Sequence, residues 1–259
     1  MYPDVQTMNI RCISLQQHNA AMNMALDEAL TESIGSGVAP ATLRFYTWSP
    51  PAISIGYFQS LTEEVDSEEC KKNKIDLVRR MTGGGAVFHD KEITYSFIVK
   101  ENNPLIHKDL LKSYQHICGA IVYGLSQFGL GAEFAPINDI LVGGKKISGN
   151  AQTRKNKCIL QHGTLLLDVD VDNMFSLLKV PNEKLKGKLI AEVKERVTSM
   201  RHCLGRLVTP EEMQQALLKG FQKTFPVPFF DGTISPSELQ KALMLKTTKY
   251  LNRQWLELR

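Results

Sequence analysis

The sequence predicts a mixed α+β domain whose sheet is largely antiparallel and is flanked by helices. Segments rich in β-branched and aromatic residues dominate the first two thirds of the 259 residues, as expected for buried strands. Gly143-Gly144 between two such segments is typical of a two-residue hairpin turn. Helical sequence takes over from about residue 173 to residue 259. Because no Gly-, Pro- or Ser-rich linker and no repeat interrupts the chain, residues 1–259 are expected to form one domain.

The first half of the chain alternates strands with helices. A first strand is expected near residues 10–15, and the apolar residues of the helix predicted over 19–34 fall on one face. The Ser49-Pro50-Pro51 segment is a turn between two strands. The other elements predicted here are strands at 42–48 and 52–58, and a polar helix over 63–73.

The second half begins with an amphipathic helix over 110–128, for which Gly129 and Gly131 supply the stop signal. Two later helices start at Thr209 and Ser235. Proline follows each of these residues and glutamate comes three positions later, which predicts a capping box in both cases. The strands predicted in this half lie at 139–142, 146–150 and 158–168.

The composition restricts the classes of protein to which the chain can belong. Hydrophobic residues make up 43% and charged residues 22%, which is ordinary for a globular protein and excludes a disordered or fibrous one. The net charge of +4 is mild and the lysines are scattered, so nucleic acid is not indicated as a partner. No apolar run is long enough to cross a bilayer and the N-terminus lacks a secretory pattern, so a cytoplasmic location is expected.

The cysteines argue against both a disulfide framework and a structural zinc site. They are odd in number, widely spaced and without any Cys-x-x-Cys pair, which fits a reducing compartment. The five residues are Cys12, Cys70, Cys118, Cys158 and Cys203.

A run of three glycines, Gly83, Gly84 and Gly85, is the first motif that indicates chemistry. It lies between strand sequence that ends near Arg79-Arg80 and strand sequence over 93–99. Residues without a Cβ let backbone N–H groups approach a phosphate or carboxylate closely, although a tight turn or bulge without a ligand is the alternative. Adjacent residues of a strand point to opposite faces, so at least one arginine is expected to face a cleft or the sheet interior and to need an anionic partner.

The second motif surrounds the hairpin turn, where Asp139 and Lys146 lie on the two paired strands. Their separation lets both side chains face one cleft. A carboxylate there could hold Mg²⁺ or steer an incoming amine, and the ammonium could stabilise phosphate charge that develops in a transition state. The alternative is a solvent-exposed salt bridge on a hairpin.

Four motifs occur together in a specific order and spacing. They are Arg-Arg-x-x-Gly-Gly-Gly-Ala-Val-Phe-His-Asp at 79–90, Asn-Asp-Ile at 138–140, Lys-x-Ser-Gly-x-Ala-Gln at 146–152 and His-Gly-Thr-Leu-Leu-Leu at 162–167. With Arg44-Phe45-Tyr46 and Gly56-Tyr57-Phe58-Gln59 upstream, the region from about residue 9 to residue 170 closely resembles the lipoate-protein ligase family. The resemblance implies the fold of biotin ligases and of the catalytic domains of class II aminoacyl-tRNA synthetases, a mixed sheet flanked by helices.

The resemblance also implies a two-step reaction. Lipoate and MgATP give lipoyl-adenylate and pyrophosphate, and the acyl group then passes to a specific lysine of an acceptor protein. The acceptors implied are apo lipoyl domains of 2-oxoacid dehydrogenases or the glycine-cleavage H protein, with neither nucleic acid nor a membrane as partner. ATP, Mg²⁺ and lipoate are thus the expected cofactors and substrate.

Site residues follow from the positions that match the family's motifs. Lys146 is the expected catalytic residue, because its ammonium would bridge the lipoate carboxylate and the α-phosphate. Asp139, the second catalytic residue, would contact the nucleotide and its Mg²⁺ and could receive the acceptor lysine. His89 and His162 are not assigned as bases, since a lone strand histidine is usually structural. The residues expected to bind lipoate or its adenylate are Arg79, Gly83, Gly84, Gly85, His89, Asn138, Ser148, Gly149, Ala151 and Gln152.

The acyl pocket is the part of the site that the sequence defines least. Trp48 and the Tyr57-Phe58 pair could form a wall for the acyl tail, but core packing is the expected role of aromatic residues in such strands. The rest of the pocket comes from dispersed apolar residues, so the sequence leaves the choice between lipoate and octanoate open.

Octanoyl and lipoyl transferases share this scaffold and are the alternative that the resemblance leaves. They use a cysteine to form a thioester intermediate. In one class this cysteine follows the strand equivalent to 162–168, and in the other it precedes the stretch equivalent to Asn138-Asp139. This chain has Lys179-Val180-Pro181 and Glu133-Phe134-Ala135-Pro136-Ile137 at those places, so the ligase is favoured.

Many ligases of this family continue past a Glu-Trp-Asn-like segment into a small accessory domain. This chain has Arg253-Gln254-Trp255-Leu256 there, so the accessory C-terminal domain is expected to be absent. Some relatives of this short form need a separate accessory subunit to make the adenylate. Whether this chain needs one or acts alone stays open.

Overall fold

The computed structural model describes residues 8–179 and 186–259 and contains two β-sheets. The predictions about an N-terminal signal and about a cysteine near residues 180 and 181 rest partly on positions outside the described residues. The strands are β1 (Ile10–His18), β2 (Thr42–Trp48), β3 (Ala52–Ile55), β4 (Asp76–Arg79), β5 (Val87–His89), β6 (Glu92–Lys100), β7 (Ala132–Ala135), β8 (Asp139–Val142), β9 (Lys145–Lys155), β10 (Cys158–Leu166) and β11 (Phe229–Asp231).

Several helices begin at residues whose side chains accept a bond from the backbone of the first turn. Asn19 accepts from the Met22 amide. At Ser235 the predicted capping box is complete in both directions, whereas at Thr209 only the bond to the Glu212 amide forms. The helices of the described residues are α1 (Ala20–Gly35), α2 (Leu61–Glu64), α3 (Ser67–Lys72), α4 (Leu110–Ser126), α5 (Val171–Leu177), α6 (Lys186–Arg196), α7 (Met200–Leu204), α8 (Pro210–Thr224), α9 (Pro236–Leu245) and α10 (Arg253–Leu256), with a π-helical turn Lys246–Tyr250 after α9.

The main sheet has the strand order β11-β1-β2-β6-β10-β9-β8-β7. β1 runs parallel to β2 and β11, and the remaining neighbours are antiparallel. Side chains alternate between the two faces. On one face Phe97 packs against Phe221 of α8, beside α4, and on the other Ile98 and Leu160 pack with Leu30 of α1. The predicted mixed α+β fold with a largely antiparallel sheet is therefore confirmed.

The second sheet is small and has the order β4-β3-β5. β3 runs parallel to β4 and antiparallel to β5, and α1 contacts both β3 and β4. Its other side is covered by a cluster in which Ile53 and Ile55 pack with Val65 and Leu177. Because β4 ends at Arg79 and β5 starts at Val87, the three glycines connect these two strands.

Two predicted elements are shorter than expected. The helix predicted over 63–73 is broken because Val65 adopts an extended conformation and bridges to Leu178, and Asp66 then caps α3. The strand predicted over 52–58 ends at Ile55, since the carbonyls of the following residues turn toward a buried guanidinium, that of Arg79.

The predicted hairpin is confirmed and positions the second motif. Gly143 and Gly144 join β8 to β9 with φ angles of 57° and 74°, a region that glycine enters without steric cost. β9 extends to Lys155, five residues beyond the predicted end. Its length brings β9 alongside both β8 and β10.

A buried ion pair connects β1 to α9. Two Arg11 nitrogens, Nη2 and Nη1, donate to Oε1 and Oε2 of Glu238 at 2.7 and 2.8 Å, and the Ser235 amide donates to Oε2. Burial raises the pKa of Glu238, but the bonds from Arg11 and Ser235 outweigh it and bring the pKa below its ordinary value of 4.5. The pair therefore stabilises the fold above about pH 4.5, and this stabilisation is lost as the pH falls through the lowered value.

Replacing Glu238 by glutamine is expected to lower the free energy of unfolding by about 2 kcal/mol near neutral pH, because the bidentate ion pair becomes a single bond from the Arg11 guanidinium to a neutral amide oxygen. The difference from the unsubstituted protein should shrink on acidification, since protonation removes the same interaction. Urea unfolding over a pH series measures both. Glu212→Gln, at an exposed pair with Arg206, is the control and should change little. A difference that stays constant down to acidic pH would contradict the assigned role.

Candidate active site

A cavity of about 300 Å³ lies between the main sheet and the glycine loop of the second sheet. Residues of β6, β9 and β10 line it, together with the buried side chains of Met24 on α1 and Tyr46 on β2. The predicted site residues that line it are Gly84, Gly85, His89, Asn138, Lys146, Ser148, Gly149 and Ala151. Two motifs that are far apart in the sequence thus meet around one cavity.

Lys146 lines the cavity and forms an ion pair with Asp139, with Nζ 2.7 Å from Oδ1. The two residues do not face each other directly, because Asp139 pairs with Gly149 and Lys146 with Leu141. The lysine side chain crosses Gly149, where an added Cβ would lie only 3.0 Å from Lys146 Cε. Because glycine has no Cβ, Gly149 leaves room for the Lys146 side chain to pass.

The contact between Asp139 and Lys146 is ionic but lacks hydrogen-bond geometry. Asp139 Oδ1 is shielded from solvent, and the Lys146 ammonium lies 2.7 Å from it. An ionised carboxylate has further lone pairs with which it can accept another bond or bind a cation. This oxygen could bind a cation or an amine that enters the cavity, as Mg²⁺ binding through one carboxylate plus substrate phosphates requires.

Arg80 fixes the conformation of the glycine loop. One of its terminal nitrogens donates to the carbonyls of Gly83 and Gly85 at 2.9 and 2.7 Å, and the other donates to the Ser54 carbonyl at 2.8 Å. Arg80 is 5% exposed, lines the cavity and has no carboxylate partner in the part of the chain that the structure describes. Burial lowers the pKa of its guanidinium to about 10. An uncompensated buried cation at this position favours an anionic ligand.

Besides the predicted catalytic residue Asp139, three predicted binding residues lie outside the cavity lining. Arg79 was predicted to line the pocket, but its side chain is turned away and donates to carbonyls of the loop after β3 and of α10. Gly83 also lies outside the lining, beside the Phe58 ring. Gln152 bonds to Gln161 and Ser113 under α4. These three residues do not line the cavity, and Arg80 is the arginine that lines it.

His89 is held by a network on the cavity wall. Its Nδ1 contacts Glu92 Oε1 at 2.5 Å, its Nε2 contacts Ser54 Oγ at 2.7 Å, and its ring stacks on Trp48 with centroids 3.8 Å apart. Both nitrogens are therefore occupied within the protein. Sequence reasoning missed Glu92, since a single acidic residue at the start of a strand carries no signal.

Of the aromatic residues considered for the acyl pocket, Trp48 is buried and lines the cavity, whereas Phe58 is 72% exposed and does not line it.

A second buried network reaches the cavity through His162, which lines it. Thr82 Oγ1 lies 2.7 Å from His162 Nε2, and His162 Nδ1 lies 3.1 Å from Asp27 Oδ2. Asp27 also pairs with Arg44 at 3.0 Å and accepts from the Tyr46 hydroxyl. These residues come from α1, β2, the glycine loop and β10, so the network ties all four together.

Asn138 is fixed beside Lys146 by bonds to the neighbouring strand. Its side chain donates to the Asn150 carbonyl, and Asn150 Nδ2 donates to the Asn138 carbonyl at 2.9 Å. Tyr95 donates to Asn150 Oδ1 at 2.7 Å. Asn138 is thereby held rigidly at the cavity wall, where the sequence predicts contact with a nucleotide.

None of the five cysteines, all of which lie in the described residues, lines the cavity. Cys12, Cys70, Cys118 and Cys158 are buried, and burial raises the pKa of each thiol to about 11 or, for Cys118, about 12. Such thiols are poor nucleophiles. Cys203 is half-buried and contacts the Thr198 hydroxyl. Within the described ranges, no group of three or more metal-binding side chains forms a metal site.

The comparison with known protein families agrees with the motifs. The family model described as the lipoyl protein ligase A/B catalytic domain matches residues 19–222. The chain belongs to this family. The resemblance seen in the sequence is thus confirmed, and the chain is an enzyme of the family that contains lipoate ligases and octanoyltransferases.

Relatives and solved structures point to different members of the family. The chain is 39% identical to octanoyltransferase LipM of Geobacillus kaustophilus, over 91% of this chain and 93% of that protein, and 36% identical to LipM of Brevibacillus brevis, over 95% and 97%. Among solved structures it resembles a bipartite lipoate protein ligase from Thermoplasma acidophilum, with a TM-score of 0.88, 33% identity and coverage of 97% and 98%. It also resembles a lipoate-protein ligase A bound with ATP, with a TM-score of 0.82, 32% identity and coverage of 96% and 99%.

In the two described segments, no helix combines the length and the apolar character that crossing a bilayer requires.

Proposed function

We propose that this protein is an ATP-dependent lipoate-protein ligase that forms lipoyl-adenylate and transfers the lipoyl group to a lysine of an acceptor lipoyl domain or glycine-cleavage H protein. The observation that carries this proposal is the chemistry of the cavity wall. Lys146 and Arg80 line the cavity and supply charges suited to a carboxylate and a phosphate, Asp139 forms an ion pair with Lys146, and no cysteine thiol lines the cavity. An enzyme without a nucleophilic thiol needs another way to activate a carboxylic acid, and adenylation is one.

In the first step a carboxylate oxygen of the acid attacks the α-phosphorus of ATP, and the bond to the β-phosphate breaks to release pyrophosphate. Lys146 would contact both the carboxylate and the α-phosphate, so that its ammonium offsets the charge that develops between them. Arg80 and the amides of Gly84 and Gly85 would hold the anion. Asp139 would bind Mg²⁺ together with the substrate phosphates, since Mg²⁺ is commonly held by one carboxylate plus phosphate oxygens.

In the second step the amine of the acceptor lysine attacks the acyl carbon, and the bond to AMP breaks. The attacking ammonium must first lose a proton. That proton would pass to solvent, and the Asp139 carboxylate, whose Oδ1 lies 2.7 Å from Lys146 Nζ, would steer the incoming amine. Asn138, held by Asn150, would contact the nucleotide as it leaves.

Octanoyl transfer without ATP is the second candidate function, and the names of the relatives favour it. That reaction needs a thiol to carry the acyl group. Cys203 is the thiol whose surroundings connect to Lys146, because Cys203 contacts Thr198 and the Thr198 amide donates to the Lys146 carbonyl at 2.9 Å. Cys203 would have to leave the core side of α7 to reach the cavity, since it packs against the main core. The cavity lining therefore favours the ligase over the transferase.

Incubation with an apo lipoyl domain and MgATP separates the two functions. We expect the acceptor to gain a lipoyl or octanoyl group, measured by its mass, only when both the free acid and ATP are present. Octanoyl-acyl carrier protein without ATP should give no product. Product from that donor, lost in Cys203→Ser but kept in Cys118→Ser, would contradict the ligase and establish the transferase.

The same reactions define the partners. Adding the accessory subunit of a bipartite ligase decides whether this chain makes the adenylate alone, and supplying H protein in place of the lipoyl domain identifies the acceptor. Parallel reactions with lipoate and octanoate identify the preferred acid.

A further inference from the structure

A continuous path of buried hydrogen bonds joins the glycine loop to the core through His162. Thr82 and His162 meet at 2.7 Å, His162 and Asp27 at 3.1 Å, and Asp27 and Arg44 at 3.0 Å. None of these four residues is more than 6% exposed. The path runs from the loop after β4 to β10 of the main sheet, passes through Asp27 on α1 and ends at Arg44 on β2, so it is a direct polar link between these parts.

The direction of each hydrogen bond follows from the charges. An ionised carboxylate only accepts, so Nδ1 of His162 donates to Asp27. Burial lowers the pKa of His162 below its ordinary value of 6.5, with Asp27 opposing and Arg80 and His89 reinforcing that shift, so the ring is neutral at pH 7. A neutral ring with a proton on Nδ1 has a free lone pair on Nε2. The Thr82 hydroxyl therefore donates to His162.

The charged and titratable groups around His162 come from several elements. Asp27 lies on α1, Arg44 on β2, Arg80 after β4 and His89 on β5. Arg44 neutralises Asp27, and Arg80 contacts only hydroxyl and carbonyl oxygens. Protonation of His162 would add a cation between these groups, which is unfavourable at neutral pH.

Thr82 acts on the loop without touching the ligand space. It is fully buried and does not line the cavity, whereas Gly84 and Gly85 do. The Thr82 carbonyl accepts from the Tyr57 amide at 2.8 Å, and Arg80 holds the loop beyond it. The start of the glycine loop is consequently fixed by His162 on one side and by the loop after β3 on the other.

We propose that His162 is a positioning residue, which holds the glycine loop through the Thr82 hydroxyl in the conformation that binds the acyl acid. It does so only while Nε2 is unprotonated, because an imidazolium has two N–H donors and no acceptor for a hydroxyl. This role rests on the acyl-binding part of the proposed function, which the ligase and the transferase share, and is independent of ATP.

Thr82→Val removes the donor at nearly constant volume, and Thr82→Ser keeps it, which makes the two variants a matched pair. We expect octanoic acid, measured by calorimetry, to bind Thr82→Val about tenfold more weakly than Thr82→Ser at about pH 7.5, since one hydrogen bond is lost. The ratio of the two dissociation constants should fall toward one as the pH is lowered from 6.5 through the depressed pKa of His162, because neither variant keeps the bond once the ring is protonated. Protonation of octanoic acid and of other groups in the protein affects both variants equally, so it does not change this ratio.

A merely structural role for Thr82 would give a ratio that does not change with pH, and this outcome overturns the proposal, as does a ratio of one at every pH measured. His162→Gln is a second variant, whose amide oxygen can accept from Thr82 but cannot be protonated. Relative to the unsubstituted protein, it should bind octanoic acid with a smaller loss of affinity on acidification, and an equal loss contradicts the proposal. Because the readout is acid binding, it stands even if acyl transfer proves independent of ATP.

Discussion

Replacing Lys146 by alanine is expected to reduce pyrophosphate release about a hundred- to a thousandfold while the fold stays intact. The Lys146 ammonium lies at the cavity wall, 2.7 Å from Asp139, where charge on the carboxylate and the α-phosphate must be offset. Its side chain is 41% exposed, so its removal leaves neither a large cavity nor a buried unpaired charge in the core. Pyrophosphate release and circular dichroism, measured on the same preparation, test both parts of this expectation.

Lys145→Ala is the matched control. Lys145 is the adjacent strand residue and lies beside a neighbouring open cavity instead of the one that Lys146 lines. Its replacement removes the same charge from the same hairpin and should leave the rate within a few-fold of the unsubstituted protein. Equal losses in the two variants would show that general positive charge, and not the placement of Lys146, matters, and an unchanged rate in Lys146→Ala would remove it from catalysis.

Replacing Asp27 by alanine is expected to lower the free energy of unfolding by about 3–5 kcal/mol, because the fully buried Arg44 then lacks its only carboxylate partner among the described residues. Tyr46 and His162 also lose the oxygen that accepts their hydrogen bonds. Burial raises the pKa of Asp27, but the His162 bond and the Arg44 charge outweigh it and keep the net pKa below its ordinary value. Urea unfolding at neutral pH measures the loss.

Glu32→Ala serves as the control for this substitution. Glu32 lies on the same helix and pairs with Lys241 at 2.7 Å, but both side chains are about one third exposed. The expected loss is at most about 1 kcal/mol, since solvent screens the pair. If Asp27→Ala were no more destabilising than Glu32→Ala, the network under the cavity would not contribute to stability as described.

The hairpin and the Lys146–Asp139 pair could be predicted from the sequence because they depend on local chemistry. Two adjacent glycines specify a tight turn, and a tight turn specifies which residues of the flanking strands come together. The exact register was beyond reach, since a shift between Ile140 and Leu141 changes the partner of Lys146. The ion pair forms nonetheless, because a lysine side chain is long enough to cross Gly149.

The choice between Arg79 and Arg80 could not be made from the sequence. Neighbouring strand residues face opposite ways, so the Arg-Arg pair predicts one inward and one outward side chain without saying which is which. The packing of α10 and of the loop after β3 decides it, because their carbonyls surround the Arg79 guanidinium. That arrangement depends on a segment about 180 residues away in the chain.

The network beneath the glycine loop was also beyond sequence reasoning. Thr82 and His162 are 80 residues apart, and His162 and Asp27 are 135 apart. No periodicity or motif spacing links such positions. Even so, His162 belonged to a recognised motif, and a buried polar residue that faces a core needs a partner. The sequence indicated a structural histidine at position 162, and only the fold supplied its partners.

Pyrophosphate release that requires both the free acid and ATP is the most direct test of the ligase assignment. The reaction contains lipoic acid, MgATP and an apo lipoyl domain, with and without an accessory subunit, and each component is omitted in turn. We expect pyrophosphate to form only when acid and ATP are both present, and in equal amount to the acyl group gained by the acceptor. Acyl transfer from octanoyl-acyl carrier protein without ATP, with a hydroxylamine-sensitive acyl group on the enzyme, would contradict the account and establish the cysteine-dependent transferase.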